Sequence, residues 1–315
     1  MKKRERIGSA VLAAVLLLGS CLPMTGCRKK ATETAGEATE SRAQESEEEK
    51  KEEGGEKTPE KEPEKQTYHF VDVKGESYEA ELLMELAPCA YDYDRLVQKN
   101  GYTYYTDADG NTASRLGIDV SEFQGQVDWT AVKNAGIEFV IIRLGYRGYG
   151  ESGTLVLDPA FEQNIQGASA TGLDVGVYFF SQAITAAEAE EEADFVLQHI
   201  APYPVKGPVV FDTEEIKYDV ARTDNLTGTQ FTDFCIAFCE KIKGAGHTPM
   251  IYANMKWMAF KLELARLEAY EKWYADYEPA PQSPYAISIW QYSETGTVPG
   301  ITGNVDLNVW FQNKK

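Results

Sequence analysis

The stretch Pro208-Val209-Val210-Phe211-Asp212-Thr213-Glu214 decides how the rest of the chain is read. Its short apolar run has the length of a buried strand and ends in carboxylates. On an extended segment Asp212 and Glu214 face the same way, about 6.6 Å apart along the strand. Glu215 points to the other face and is read as a bystander.

Working outward, similar runs lie at 116–120, 139–144, 175–180, 250–252, 273–275, 287–291 and 305–307. Helical patterns fill most gaps, at 129–135, 159–170, 185–200 and 229–246. Strand–helix alternation implies a parallel sheet. Eight strands in about 200 residues, with little helix late in the chain, predict an α/β fold: an irregular, TIM-like β/α barrel over 116–315. Chemistry in such barrels sits at the C-terminal ends of the strands. Ile118 runs into Asp119 there, and Val305 into Asp306.

Acids are plentiful, 50 in 315 residues, so a lone Asp-x-Glu proves little. Any one of them could cap a helix or pair with Arg143 or Arg222. Three strand ends presenting acids to one rim point instead to chemistry. A close carboxylate pair is what a glycosidase needs, one protonated to assist the leaving oxygen and one ionised to stabilise positive charge at the anomeric carbon. Tyr178, Tyr252, Trp273, Tyr277, Trp290 and Tyr292 lie at or near strand ends, and aromatic faces stack on sugar rings. Each alone reads equally well as core. Tyr178 and Trp290 come first, and Tyr252, Trp273, Tyr277, Gln291 and Arg143 complete the substrate-binding candidates. His69, His199 and His247 do not cluster with one another, with the acids or with the cysteines, so neither a metal nor another cofactor is expected. No Gly-x-Ser-x-Gly elbow or phosphate-cradling loop is present.

Several segments together are specific. Gly117-Ile-Asp-Val-Ser-Glu-Phe-Gln-Gly-Gln-Val-Asp-Trp129, Phe139-Val-Ile-Ile-Arg143, Gly176-Val-Tyr-Phe-Phe-Ser181, Val210-Phe-Asp-Thr-Glu214, Trp273-Tyr-Ala-Asp-Tyr277, Trp290-Gln-Tyr-Ser293 and Val305-Asp-Leu-Asn308 resemble, in order, the lysozymes of glycoside hydrolase family 25. The resemblance implies hydrolysis of the β-1,4 bond between N-acetylmuramic acid and N-acetylglucosamine. It places the family's acids on Asp119, Asp212, Glu214 and Asp306, with Glu214 as general acid. Where the family often has histidine after the third strand's tyrosine, Phe179 stands here, a departure expected to alter substrate contacts without removing an acid. A non-catalytic peptidoglycan-binding relative and a hydrolase of another N-acetylhexosamine polymer, such as chitin, are the alternatives.

The remaining segments concern placement. Lys2, Lys3, Arg4 and Arg6 precede an apolar run from Ile7 to Leu18, the layout of a secretory signal over 1–27. That run is too short to span a bilayer, which takes about 20 apolar residues. Cys21 and Cys27 both close lipobox-like sequences, and Cys27 is preferred because the polar sequence starts directly after it. Residues 28–66 hold no large apolar residue and are expected to form a disordered Glu/Lys-rich tether. Residues 67–115 read as a small β-rich extension. This is the layout of a lipoprotein from a Gram-positive bacterium, exported and lipid-anchored at the cell surface, with free secretion as the alternative. The expected partners are peptidoglycan glycan strands and the membrane, and a monomer is expected. Most of the net charge of −19 falls beyond the tether, which argues against nucleic acid. Cys235 and Cys239, four apart on a helical pattern, have Cβ atoms about 5–6 Å apart, beyond disulfide reach. They are read as buried core thiols.

Overall fold

Side chains alternate between the two faces of a strand, so a closed sheet sorts them into an interior and an outer layer. The computed structural model describes residues 65–312. The candidate signal, Cys21, Cys27 and all of the tether but Lys65 and Gln66 lie outside the described residues. Two hairpins come first, β1 (Thr67–Val71) with β2 (Ser77–Glu81) and β3 (Leu96–Lys99) with β4 (Tyr102–Tyr105). There follow β5 (Ser114–Val120), α1 (Trp129–Asn134), β6 (Phe139–Arg147), β7 (Leu155–Leu157), α2 (Phe161–Ala170) and β8 (Asp174–Ser181). Next come α3 (Ala186–Ile200), β9 (Val209–Thr213), α4 (Gly228–Gly244), β10 (Pro249–Asn254) and α5 (Met255–Phe260). The described chain ends with β11 (Glu271–Ala275), β12 (Ile289–Gly296) and β13 (Val305–Phe311).

Eight strands close a barrel in the order β5-β13-β12-β11-β10-β9-β8-β6, sealed by pairing of β5 with β6. All eight sequence-predicted strands are there. The expected all-parallel sheet is not: β13 runs antiparallel to both β12 and β5. No helix separates β12 from β13, and a short return without a crossover can only reverse direction. β7 forms a hairpin on β6, and it and α5 carry no periodic signal in the sequence.

Leu116, Ile118, Val140, Ile142, Val175, Val177, Val209 and Phe211 point outward into the layer shared with the helices. Phe139, Ile141, Val210, Met250, Trp273 and Ile289 fill the interior. Gly117 makes room for this filling, since a Cβ there would run into the Phe139 ring. Helices α1, α3 and α4 start at side-chain caps: Asp128 accepts from Ala131 N–H, Thr185 from Glu188 N–H, and Thr227 and Gln230 form a reciprocal capping box. Cys235 and Cys239 are free and buried on α4.

The hairpins are not a separate body, because Lys65–Lys315 forms one compact unit. Gln282 pairs with both backbone groups of Val71, at 2.8 Å each, and the Tyr91 ring stacks on Phe311 with centroids 4.3 Å apart. A boundary between 115 and 116 therefore cuts through β5.

Candidate active site

The same alternation that fills the barrel carries each inward position up to the rim. Gly117 leads to Asp119 on β5, Val210 to Asp212 on β9, and Ile289 to Gln291 on β12. Asp306 reaches the same rim from the other direction, at the start of the reversed β13, directly across from Asp119. Glu214 follows β9 at once, on the Asp212 side.

Asp119 Oδ2 accepts from Gln291 Nε2 at 2.9 Å and from Asn308 Nδ2 at 2.8 Å. Asp306 also hydrogen-bonds Asp119, which requires a proton between the two carboxyl groups. Burial raises both acids. The two amides favour the charged form of Asp119, so the proton belongs to Asp306.

Asp212 is buried, and its Oδ1 has no hydrogen-bond partner among the described residues. Burial pushes it well above the usual carboxylate range; the charges of Glu214 and Asp119 add to this, and Arg143 opposes it. Burial also raises Glu214, against the pull of Lys217 and a hydrogen bond from Tyr252. Two acids this close titrate as a pair, and the pair keeps a proton above the ordinary range. In the free site burial raises both acids. A donor reaching Asp212 Oδ1 would favour its charged form and leave the proton on Glu214.

Around the acids, the Tyr277 hydroxyl donates to Gln291 Oε1 at 3.1 Å, and the Tyr252 hydroxyl, 3.1 Å from the same oxygen, has one proton to give either to it or to Glu214. The Trp273 ring meets Tyr252 and Tyr178 edge-on, at 4.8 and 5.9 Å. Trp273 is buried, and its Nε1 donates to Asn308 Oδ1 at 2.7 Å, so it braces the site from below. Trp290 does not join this group. One residue out of phase with Gln291, it points outward, is 1% exposed, and donates from Nε1 to the Asp276 carbonyl at 2.7 Å. Phe179 likewise faces outward onto Phe195, so it leaves the substrate side untouched, contrary to expectation. Arg143 is inward but committed, donating to Asp158 at 2.7 Å and Glu122 at 2.9 Å. Arg222 pairs with Glu188 rather than with any of these acids.

Three contributors escaped the sequence reading. Asn308 stands two residues after Asp306, so the period of the strand could have found it. Gln182 donates to the Glu214 carbonyl at 3.3 Å and accepts from Thr223 Oγ1 at 2.9 Å, steadying the turn that carries the acid. Lys217 acts on Glu214 from an irregular loop that no pattern marks. Among the described residues, no group of three or more His, Cys, Asp or Glu side chains is arranged to hold a metal ion.

A closed β/α barrel with buried carboxylates and tyrosines gathered at one mouth is the layout of a carboxylate-dependent glycosidase. Residues 118–301 match the family described as Glycosyl hydrolases family 25, and the chain belongs to that family. It is a glycoside hydrolase of the lysozyme type. It is 27% identical over 215 residues to Lysozyme M1 of Streptomyces globisporus, covering 63% of this chain and 68% of that protein. It is 26% identical over 194 residues to the autolytic lysozyme of Clostridium acetobutylicum, covering 61% of this chain and 54% of that one. Among solved structures, the bacterial lysozyme from Streptomyces coelicolor aligns with a TM-score of 0.52 at 26% identity, over 64% of this chain and 93% of that one. The modular autolysin LytC of Streptococcus pneumoniae, solved with a synthetic peptidoglycan ligand, aligns with a TM-score of 0.57. At 22% identity that second likeness concerns the fold; it covers 77% of this chain, which spans 56% of the autolysin's length.

Proposed function

We propose that this chain cuts peptidoglycan at the β-1,4 bond between N-acetylmuramic acid and N-acetylglucosamine, with Glu214 as general acid. The observation that carries the reading is the Asp212–Glu214 pair at the end of β9, Asp212 buried and Glu214 half-buried, with Asp212 Oδ1 unpartnered. The substrate's 2-acetamido N–H is a donor of the kind that oxygen lacks. Donation to Asp212 holds it ionised and leaves the proton on Glu214. Glu214 gives that proton to the glycosidic oxygen as the C1–O bond breaks, while the acetamido carbonyl oxygen closes on C1. Water then opens the cyclic intermediate, returning its proton to Glu214. Asp119 and Asp306 complete the anionic wall, with Tyr178, Tyr252 and Tyr277 as sugar contacts. Direct attack by Asp212 and inversion by a water held on Asp119 or Asp306 are the competing routes.

Glu214→Gln keeps the shape without a transferable proton and should cost about 10²–10⁴ in rate on purified peptidoglycan. Near-normal turnover in a folded variant refutes the acid assignment. A new N-acetylglucosamine reducing end, or turnover of chitin in place of peptidoglycan, refutes the bond assignment. Inversion at the anomeric carbon of the first product excludes both acetamido assistance and attack by Asp212, and a covalent adduct on Asp212 excludes assistance alone.

The chain's place is the cell surface, held through an acylated Cys27 with residues 28–66 as spacer; the support is the lipobox-like sequence and the composition after it. Replacing both Cys21 and Cys27 with serine should release the protein into the medium. Retention of the double variant in membranes removes the anchor.

A further inference from the structure

Between the loop that leaves β5 and the loop that enters β13 lies a groove of about 670 Å³, within the range of about 300–1,000 Å³ typical of ligand clefts. One wall is residues 123–128, after β5, and the other is Gly300 and Thr302, before β13. β5 and β13 are the strands that bear Asp119 and Asp306, so the loops that line the groove continue from the acid rim. Its walls are joined where Asp128 N–H donates to the Gly300 carbonyl at 2.9 Å and Gln124 Nε2 to the Asn304 carbonyl at 3.5 Å.

Phe123 lines this groove and is 50% exposed. It is also fixed. The Arg143 guanidinium lies 4.9 Å from its ring centroid and is itself held by Asp158 and Glu122. The reciprocal cap between Ser121 and Gln124 sets the backbone on which Phe123 sits. Arg143 thus supports this aromatic ring through a guanidinium already paired with two carboxylates.

We infer that Phe123 is the stacking platform of a further subsite, which takes an additional N-acetylhexosamine residue of the glycan strand in this groove. The inference rests on the peptidoglycan reading above and adds where the strand runs. The chemistry of the groove favours a neutral sugar. An aromatic face, the amide of Gln126 and open backbone suit a ring with one apolar face and polar edges. A stem peptide brings carboxylates, and the titratable groups along this groove are Asp128 and the neighbouring Glu122, with Arg143 already paired.

The test uses the full chain carrying Glu214→Gln, so that glycan is held but not cut. Affinities are measured for peptide-free peptidoglycan fragments of increasing length. At the length that first fills the groove, affinity should step up. Phe123→Ala should reduce that step about five- to tenfold, while Phe123→Trp keeps it. A step untouched by Phe123→Ala overturns the inference alone. A step that appears only with fragments bearing stem peptides, and is lost in Phe123→Ala, overturns the sugar as occupant. Failure to bind any fragment sinks the glycan reading and the inference together. Thermal unfolding of both Phe123 variants separates a lost platform from a lost fold.

Discussion

Asp119 accepts two amide protons at a single oxygen, and one of those amides is anchored below by an indole. Trp273 Nε1 holds Asn308 Oδ1, which aims Asn308 Nδ2 at Asp119. A hydrogen bond to a charged group contributes about 1.5–3 kcal/mol. Losing it raises the carboxylate's pKa by about one to two units, at 1.36 kcal/mol per unit. Under the proposed mechanism, in which Asp119 works ionised, Asn308→Leu should therefore move the acid limb of the kcat/KM profile to higher pH by about one unit, because Asp119 then protonates sooner. It should also lower stability by about 1–3 kcal/mol, since the Trp273 indole N–H loses its acceptor. A pH profile that keeps its acid limb, in a variant that is merely less stable, would make Asn308 structural only.

At the scale of the element, inward and outward phase decides which side chains work together. Gly117, Asp119 and the filled positions beneath them share the inner face of β5, and Phe139 from β6 occupies the space above Gly117. Gly117→Ala pushes a methyl into that ring. Overpacking of this kind costs about 1–3 kcal/mol, or roughly 3–10 °C in Tm for a domain of this size. Adding Phe139→Leu should recover part of the loss, making the double variant more stable than the two separate changes sum to. Strict additivity would mean that the two residues do not share the space. The same phase argument explains what was legible in the sequence. Apolar runs mark each barrel strand, and a carboxylate at the mouth marks Asp119, Asp212, Glu214 and Asp306, because both signals are local. The direction of β13 was not legible, since it depends on what joins β12 to β13. Trp290 and Phe179 mislead for a related reason. They sit beside functional positions in sequence but one step out of phase, so only counting twos from Gln291 and Tyr178 sends them to the outer layer. Side chains that act from the irregular segments after the strands, such as Gln182 and Lys217, leave no periodic trace.

Over the whole molecule the acid mouth has a cost in stability, and its sign is fixed by the pKa directions. Asp119, Asp212, Glu214 and Asp306 are all raised by burial in the folded chain. Their ordinary values are near 4 in the unfolded chain. Between those limits the native state binds more protons than the unfolded state, so stability falls as pH rises through the window. Glu192, pushed up to about 7 by burial, adds to the same slope. Lys272, pushed down to about 8 by burial, has the opposite slope above that pH, so the comparison belongs between pH 4 and 7. Asp212→Asn removes one raised carboxylate from the mouth and leaves Glu192 and Lys272 in place. At pH 4 the wild-type group is protonated and neutral, as the amide is, so the two proteins should melt close together. At pH 7 the wild type holds the Asp212–Glu214 pair against burial and mutual repulsion, and the variant does not. The variant should melt several degrees higher there while its turnover falls. Equal gains at pH 4 and pH 7 would assign the stabilisation to packing or to the unfolded chain. A variant less stable than wild type at pH 7 would mean that Asp212 is held by partners in the folded state, and the unpartnered oxygen could no longer be the one that receives substrate.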